Sequence, residues 1–114
     1  MQYTGTTLHY FIAERDVVDV RTLEAALRTL SRNFGLKFQA ATFEGRKGYT
    51  VSINMPGEAV GNVAQNISSR LQELLTLNST ARPVFPGRYP ALQGPSLMKG
   101  DTLLTFPHRR AANG

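Results

Sequence analysis

The sequence predicts an α+β domain of the ferredoxin-like kind, a βαββαβ sandwich with a four-stranded antiparallel sheet and two helices on one face. Three observations predict it: apolar residues alternate with period two in four short segments, they recur at helical spacing in two longer ones, and the order is strand, helix, strand, strand, helix, strand. A long Pro/Gly-rich loop, "RPVFPGRYPALQGPSLMKGD", precedes the last strand and carries four prolines and three glycines.

Leu8, Tyr10 and Ile12 alternate with His9, Phe11 and Ala13, which predicts a first strand apolar on both faces and therefore central in its sheet. Val20, Leu23, Leu27, Leu30 and Phe34 follow at helical spacing, with Asp19 placed as N-cap and Gly35 just past the end. "LKFQAATF" and "GYTVSINM" alternate again, and the glycines of "EGRKG" between them suit a short hairpin loop. Pro56 suits the start of a second helix, whose stripe is Val60, Val63, Ile67, Leu71 and Leu74. "DTLLTFP" reads as a last short strand closed by Pro107. The expected organisation is one domain over 1–107, including a Pro-rich arm over 79–101, and a basic polar tail over 108–114.

Composition narrows the function classes. Hydrophobic residues make up 41% of 114, enough for one core. There is no cysteine, hence neither a disulfide framework nor a thiolate metal site. No segment approaches the roughly 18 apolar residues of a membrane span, and no basic leader precedes an apolar run, so a cytoplasmic protein without membrane contact is the expectation. The net charge of +5 is uneven. Residues 1–79 hold eight Lys/Arg against seven Asp/Glu, or +1, and residues 80–114 hold five against one, or +4. Such an excess favours an anionic partner.

Known site patterns are mostly excluded. "KGYTVSIN" begins as the third strand of an RNA-recognition motif does, but Val51 stands where a second stacking aromatic is needed. Tyr49 shares the phase of Val51, Ile53 and Met55, so it belongs to the core and leaves Thr50, Ser52 and Asn54 on the open face. The loop after the first strand, "AERDVVD", sets three carboxylates against Arg15 and would repel a phosphate. His9 and His108 are the only histidines and no pair stands at metal-ligand spacing. No Ser or Thr has the sequence context of an activated nucleophile. His9 reads as a satisfied sheet histidine, and Glu14 and Asp16 as a solvated turn. The expectation is a protein with no catalytic residues, no cofactor and no metal.

What remains is binding. The arm holds Val84, Phe85, Tyr89, Leu92, Leu97 and Met98, too many large apolar groups for a spacer. It either folds back over the sheet or docks on a partner, and its interleaved cations and rings favour partial docking on a partner. The candidate partner-binding residues are Arg82, Phe85, Arg88, Tyr89, Leu92 and Lys99 in the arm, Arg109 and Arg110 in the tail, and Arg46 and Lys47 at the hairpin tip. The function expected is a non-catalytic assembly module, a subunit, adaptor or inhibitor that binds another protein or a second copy of itself through its open sheet or edge and the basic Pro-rich arm. The alternative is RNA or DNA, with the same cations on phosphates and Phe85 or Tyr89 stacked on bases.

Overall fold

The computed structural model describes residues 5–17, 19–30, 35–56, 60–75, 81–98 and 100–106. Strand β1 (Gly5–Ala13) passes through one 3₁₀ turn into helix α1 (Val20–Leu30), and β2 (Gly35–Phe43) and β3 (Arg46–Pro56) form a hairpin that leads to helix α2 (Val60–Leu74). The arm then contributes β4 (Arg82–Pro83), a 3₁₀ segment (Pro86–Ala91) and β5 (Leu92–Gln93) before β6 (Thr102–Thr105). One six-stranded sheet results, in the order β4-β6-β1-β3-β2-β5, curled into a half-barrel.

This corrects the expected four-stranded ferredoxin-like sandwich. The first half matches that arrangement locally, because β3 pairs antiparallel with both β1 and β2. The second half departs from it: the strand next to β1 on the other side, β6, runs parallel to β1. The arm is the physical reason. After α2 the chain forms β4 antiparallel to β6 at one edge of the sheet, crosses to β5 at the opposite edge, and returns to enter between β4 and β1. That extra traverse reverses the direction of the last strand. Proline limits how much of the traverse can be strand, since Pro83 has no N–H for a ladder and β4 stops after two residues.

Each face of the sheet carries its own core. Leu8, Tyr10, Ile12, Val51, Ile53 and Leu104 pack under Leu23 and Leu27 of α1 and Ile67 and Leu71 of α2. Tyr10 donates its hydroxyl hydrogen to the Ala64 carbonyl at 3.0 Å and accepts from Ser68 Oγ at 3.3 Å. The apolar stripe of α2 is completed by buried Leu75, just past the helix end, rather than by Leu74, which is exposed. Asp19 caps α1 as expected, its Oδ1 accepting from the amides of Arg21 (3.0 Å) and Thr22 (3.4 Å). Phe34, expected to extend that helix, lies outside the described residues.

The opposite face is closed by the arm. Val84 and Leu92 are buried with Phe11, Ala41, Phe43 and Leu103, flanked by Tyr89, Ala91 and Leu97. Burying each of Val84 and Leu92 contributes about 1.5–3 kcal/mol, which holds the arm against its own sheet. Thr50 and Ser52, expected on an open face, are buried beneath it. Two close approaches depend on glycine. A Cβ at Gly48 would stand 2.2 Å from the Ile12 carbonyl oxygen and 2.8 Å from the Phe11 ring, so only hydrogen leaves room for that ring. Gly94 turns the arm at φ 138°, with Ala40 and Ala41 of β2 directly behind it.

Candidate functional site

The hairpin loop is shorter than "EGRKG" suggested. Phe43 pairs with Arg46, so only Glu44 (φ 52°) and Gly45 (φ 81°) turn, the two positive-φ residues of a type I′ loop. The tight turn places Arg46 at the first position of β3 and lets Glu44 point toward the arm. There Glu44 Oε2 accepts from Arg88 Nε at 2.6 Å and also from Arg88 Nη2, while the Glu44 amide donates to the Ala91 carbonyl at 3.1 Å. Arg88 also lies over the Phe43 ring, 5.7 Å from its centroid. Its guanidinium holds its proton even more firmly than usual because the Glu44 carboxylate stabilises the cation.

Around this pair lies a groove of about 510 Å³ at the carboxyl ends of β1, β2 and β6, floored by Phe11, Phe43 and Phe106 and walled by Val84, Phe85 and Arg88. Arg46 enters from the hairpin and Arg82 from β4, and neither has an ion-pair partner among the described residues. Phe85 stands on the rim, 59% exposed. The structure thus brings together four of the expected binding residues, Arg46, Arg82, Phe85 and Arg88.

The others part company. Lys47 is exposed beside Glu14 and Tyr49 in a separate depression. Leu92 is buried against Phe43. Tyr89 is half-buried, its hydroxyl accepting from the Leu103 amide at 3.3 Å and donating to the Asp101 carbonyl at 3.4 Å, so it fastens the arm to β6. Lys99, Arg109 and Arg110 lie outside the described residues.

A second concavity, about 550 Å³, lies at the other end of the same face, lined by Thr7, His9, Lys37, Gln39, Ser52 and Asn54 of the sheet and walled by Gly94, Pro95 and Ser96 of the arm. Strand register sets His9, Ser52 and Lys37 in one row across β1, β3 and β2. His9 Nδ1 lies 2.7 Å from Ser52 Oγ, and His9 Nε2 lies 3.1 Å from Asp101 Oδ2. Asp101 Oδ2 also accepts from the Met98 amide at 3.0 Å. A carboxylate can only accept, so Nε2 carries a hydrogen; in the neutral imidazole Nδ1 is then the acceptor and the Ser52 hydroxyl donates to it. Two further oxygens, Gln39 Oε1 and Thr50 Oγ1, are buried without a hydrogen-bond partner in the next row.

The sequence reading missed this cluster. His9 and Ser52 are 43 positions apart, and Asp101 lies 92 positions beyond His9. The available signal was phase, because His9 and Ser52 both fall on the arm side of strands expected to be apolar. No group of three or more metal-ligating side chains occurs among the described residues, and no helix among them is long and apolar enough to cross a membrane. Comparison of the chain with protein-family models, with curated proteins and with solved structures found no match in any of the three.

Proposed function

We propose that the protein is an interaction module that takes a short acidic segment of another protein into the groove between the hairpin tip, the arm and the end of β6. The observation that carries this reading is the convergence of Arg46 and Arg82, distant in sequence and lacking ion-pair partners among the described residues, on a groove whose rim holds the exposed Phe85 ring. Two cations beside an apolar floor suit a carboxylate pair flanking one apolar side chain, and Arg and aromatic residues dominate such contacts. Arg88 is already neutralised by Glu44 and orients the wall rather than adding free charge.

A peptide fits better than a nucleic acid. Phe11 and Phe43 are buried and Tyr89 is committed to the arm, which leaves Phe85 as the exposed ring at the groove, whereas single strands are held by successive stacking rings and a track of cations. A groove of this size takes a few residues, so the complex belongs with weak, transient interfaces. The arm covers the middle of the sheet face, which leaves the groove open to a partner at its end. β5 pairs only with Thr42 and Phe43 of β2.

The test is fluorescence anisotropy with a panel of labelled peptides carrying two glutamates around Leu, Phe or Met, beside a single-stranded oligonucleotide. The expected result is micromolar binding by members of the panel, weakened at least tenfold in Arg46→Glu/Arg82→Glu and insensitive to nuclease. Binding of the oligonucleotide alone, with log affinity falling about 0.7 per log unit of salt for each phosphate contact, would overturn it.

A further inference from the structure

Three groups from three distant segments meet in the polar cleft, and their order is that of an acyl-transfer relay. Asp101 fixes the imidazole, the imidazole accepts from Ser52, and the Ser52 hydroxyl faces a concavity of about 550 Å³. The cluster also serves to pin the end of the arm, but a pin needs only the His9–Asp101 pair. The same row adds Lys37, the cross-strand neighbour of Ser52 on the side away from His9 and a lining residue of the same cleft. Directly registered residues have Cβ atoms about 4.5–5.5 Å apart, within reach of a lysine's flexible stem. A nucleophile, its base and a cation for developing charge therefore stand in one line across three strands.

We propose that Ser52 is an activated nucleophile that accepts an acyl group from a small, polar, activated ester. Ser52 Oγ bonds to the carbonyl carbon while its proton passes to His9 Nδ1, and the Lys37 ammonium sits beside the oxyanion. Collapse breaks the bond from the carbonyl carbon to the leaving oxygen, which takes the proton from His9 as it departs. The products are an ester on Ser52 and a free alcohol, with no change of oxidation state. Attack of water on that ester, its proton taken by the same imidazole, releases the acid and restores the hydroxyl. Serine hydrolases use the two ring nitrogens in the opposite sense, with the hydroxyl on Nε2, yet the proton path is equivalent because the carboxylate still fixes which nitrogen is free. The mixed polar lining, with Thr7, Gln39 and Asn54, selects a donor carrying hydrogen-bonding groups over a long aliphatic chain.

The experiment is incubation of the full chain with p-nitrophenyl acetate, read by intact mass and by peptide mapping. The expected result is a burst of p-nitrophenolate and, in protein quenched with acid during the burst, one acetyl group on Ser52. Ser52→Ala abolishes that adduct and Ser69→Ala, on the exposed side of α2, leaves it unchanged. Lys37→Gln, at an exposed position, slows acetylation by about 100-fold, as loss of an oxyanion donor does. His9→Gln slows it by at least the same factor. The groove variant Arg46→Glu/Arg82→Glu acetylates at the wild-type rate, so failure of the groove reading and failure of this one are distinguishable. An unmodified Ser52 in folded protein with p-nitrophenolate released no faster than by Ser52→Ala, or equal rates for the wild type and Lys37→Gln, would overturn the proposal and leave the cluster a fastening for the arm.

Discussion

The basic groove and the polar cleft share one face of one sheet and are separated by the arm that crosses it. At the groove, cations from the hairpin and from β4 stand exposed, and the apolar residues are the floor. At the cleft the arrangement is inverted: His9 and Ser52 are buried, bonded to each other, and tied to the arm through Asp101. The same segment builds both. Its first residues supply Arg82, Phe85 and Arg88, its last supplies Asp101, and Tyr89 and Leu92 between them hold it down. Exposed, unsatisfied charge suits reversible recognition of a partner, whereas buried groups with fixed hydrogen bonds suit a set geometry.

Both sites depend most heavily on Gly48. The Gly48→Ala Cβ would collide with the Ile12 backbone and the Phe11 ring, and the expected loss is about 3 kcal/mol in urea unfolding, with both sites disturbed together. Leu92→Ala comes next, at about 2–4 kcal/mol. It loosens the middle of the arm, and limited proteolysis should then cut between residues 82 and 98 in a protein whose β1 and β3 remain intact.

Tyr89→Phe separates the two ends more finely. It removes the hydroxyl that fastens the Leu103 amide, costs about 1 kcal/mol, and leaves the Arg88–Glu44 pair at the groove in place. Peptide binding should therefore persist when unfolding shifts. Glu44→Gln should do the reverse, changing peptide affinity and its salt dependence while unfolding stays within error, because the pair is exposed.

The smallest effect is in pH, and it acts at neither site. Burial raises the Tyr10 hydroxyl above its ordinary value, so the folded state holds that proton more tightly than the unfolded chain does. Stability from this group is complete below about pH 10 and falls as pH rises further, a slope that Tyr10→Phe should flatten in alkaline melts. Asp19 runs the other way: hydrogen bonds from the Thr22 hydroxyl, then from the Thr22 and Arg21 amides, lower its carboxyl. Its contribution is present above about pH 4 and is lost as pH falls below that.

The helix-side core was legible because β1 and β3 alternate cleanly and α1 repeats at 3.6, so Leu8, Tyr10, Leu27 and Val51 declared their direction. The arm was legible only as composition. Its prolines announced an irregular segment but not that Val84 and Leu92 would cover the sheet face, and two-residue strands such as β4 and β5 carry no periodicity to read. From that followed the error in the last strand, whose direction depends on how often the chain crosses the sheet rather than on residues 102–105. The groove was legible in part, since Arg46 and the arm's cations stood out singly, while their meeting depends on the Glu44–Gly45 turn. The cleft was hidden because its three groups are joined only by strand register and by the arm's return.

Both sites require the arm to be part of the fold, which amide hydrogen exchange reads residue by residue. The Val84 amide donates to the Leu103 carbonyl at 2.7 Å and the Glu44 amide to the Ala91 carbonyl at 3.1 Å, so both should exchange as slowly as amides of the central β1–β3 ladder. Exchange of Val84 and Glu44 at the rate of an unstructured chain, with β1 and β3 still protected, would contradict it.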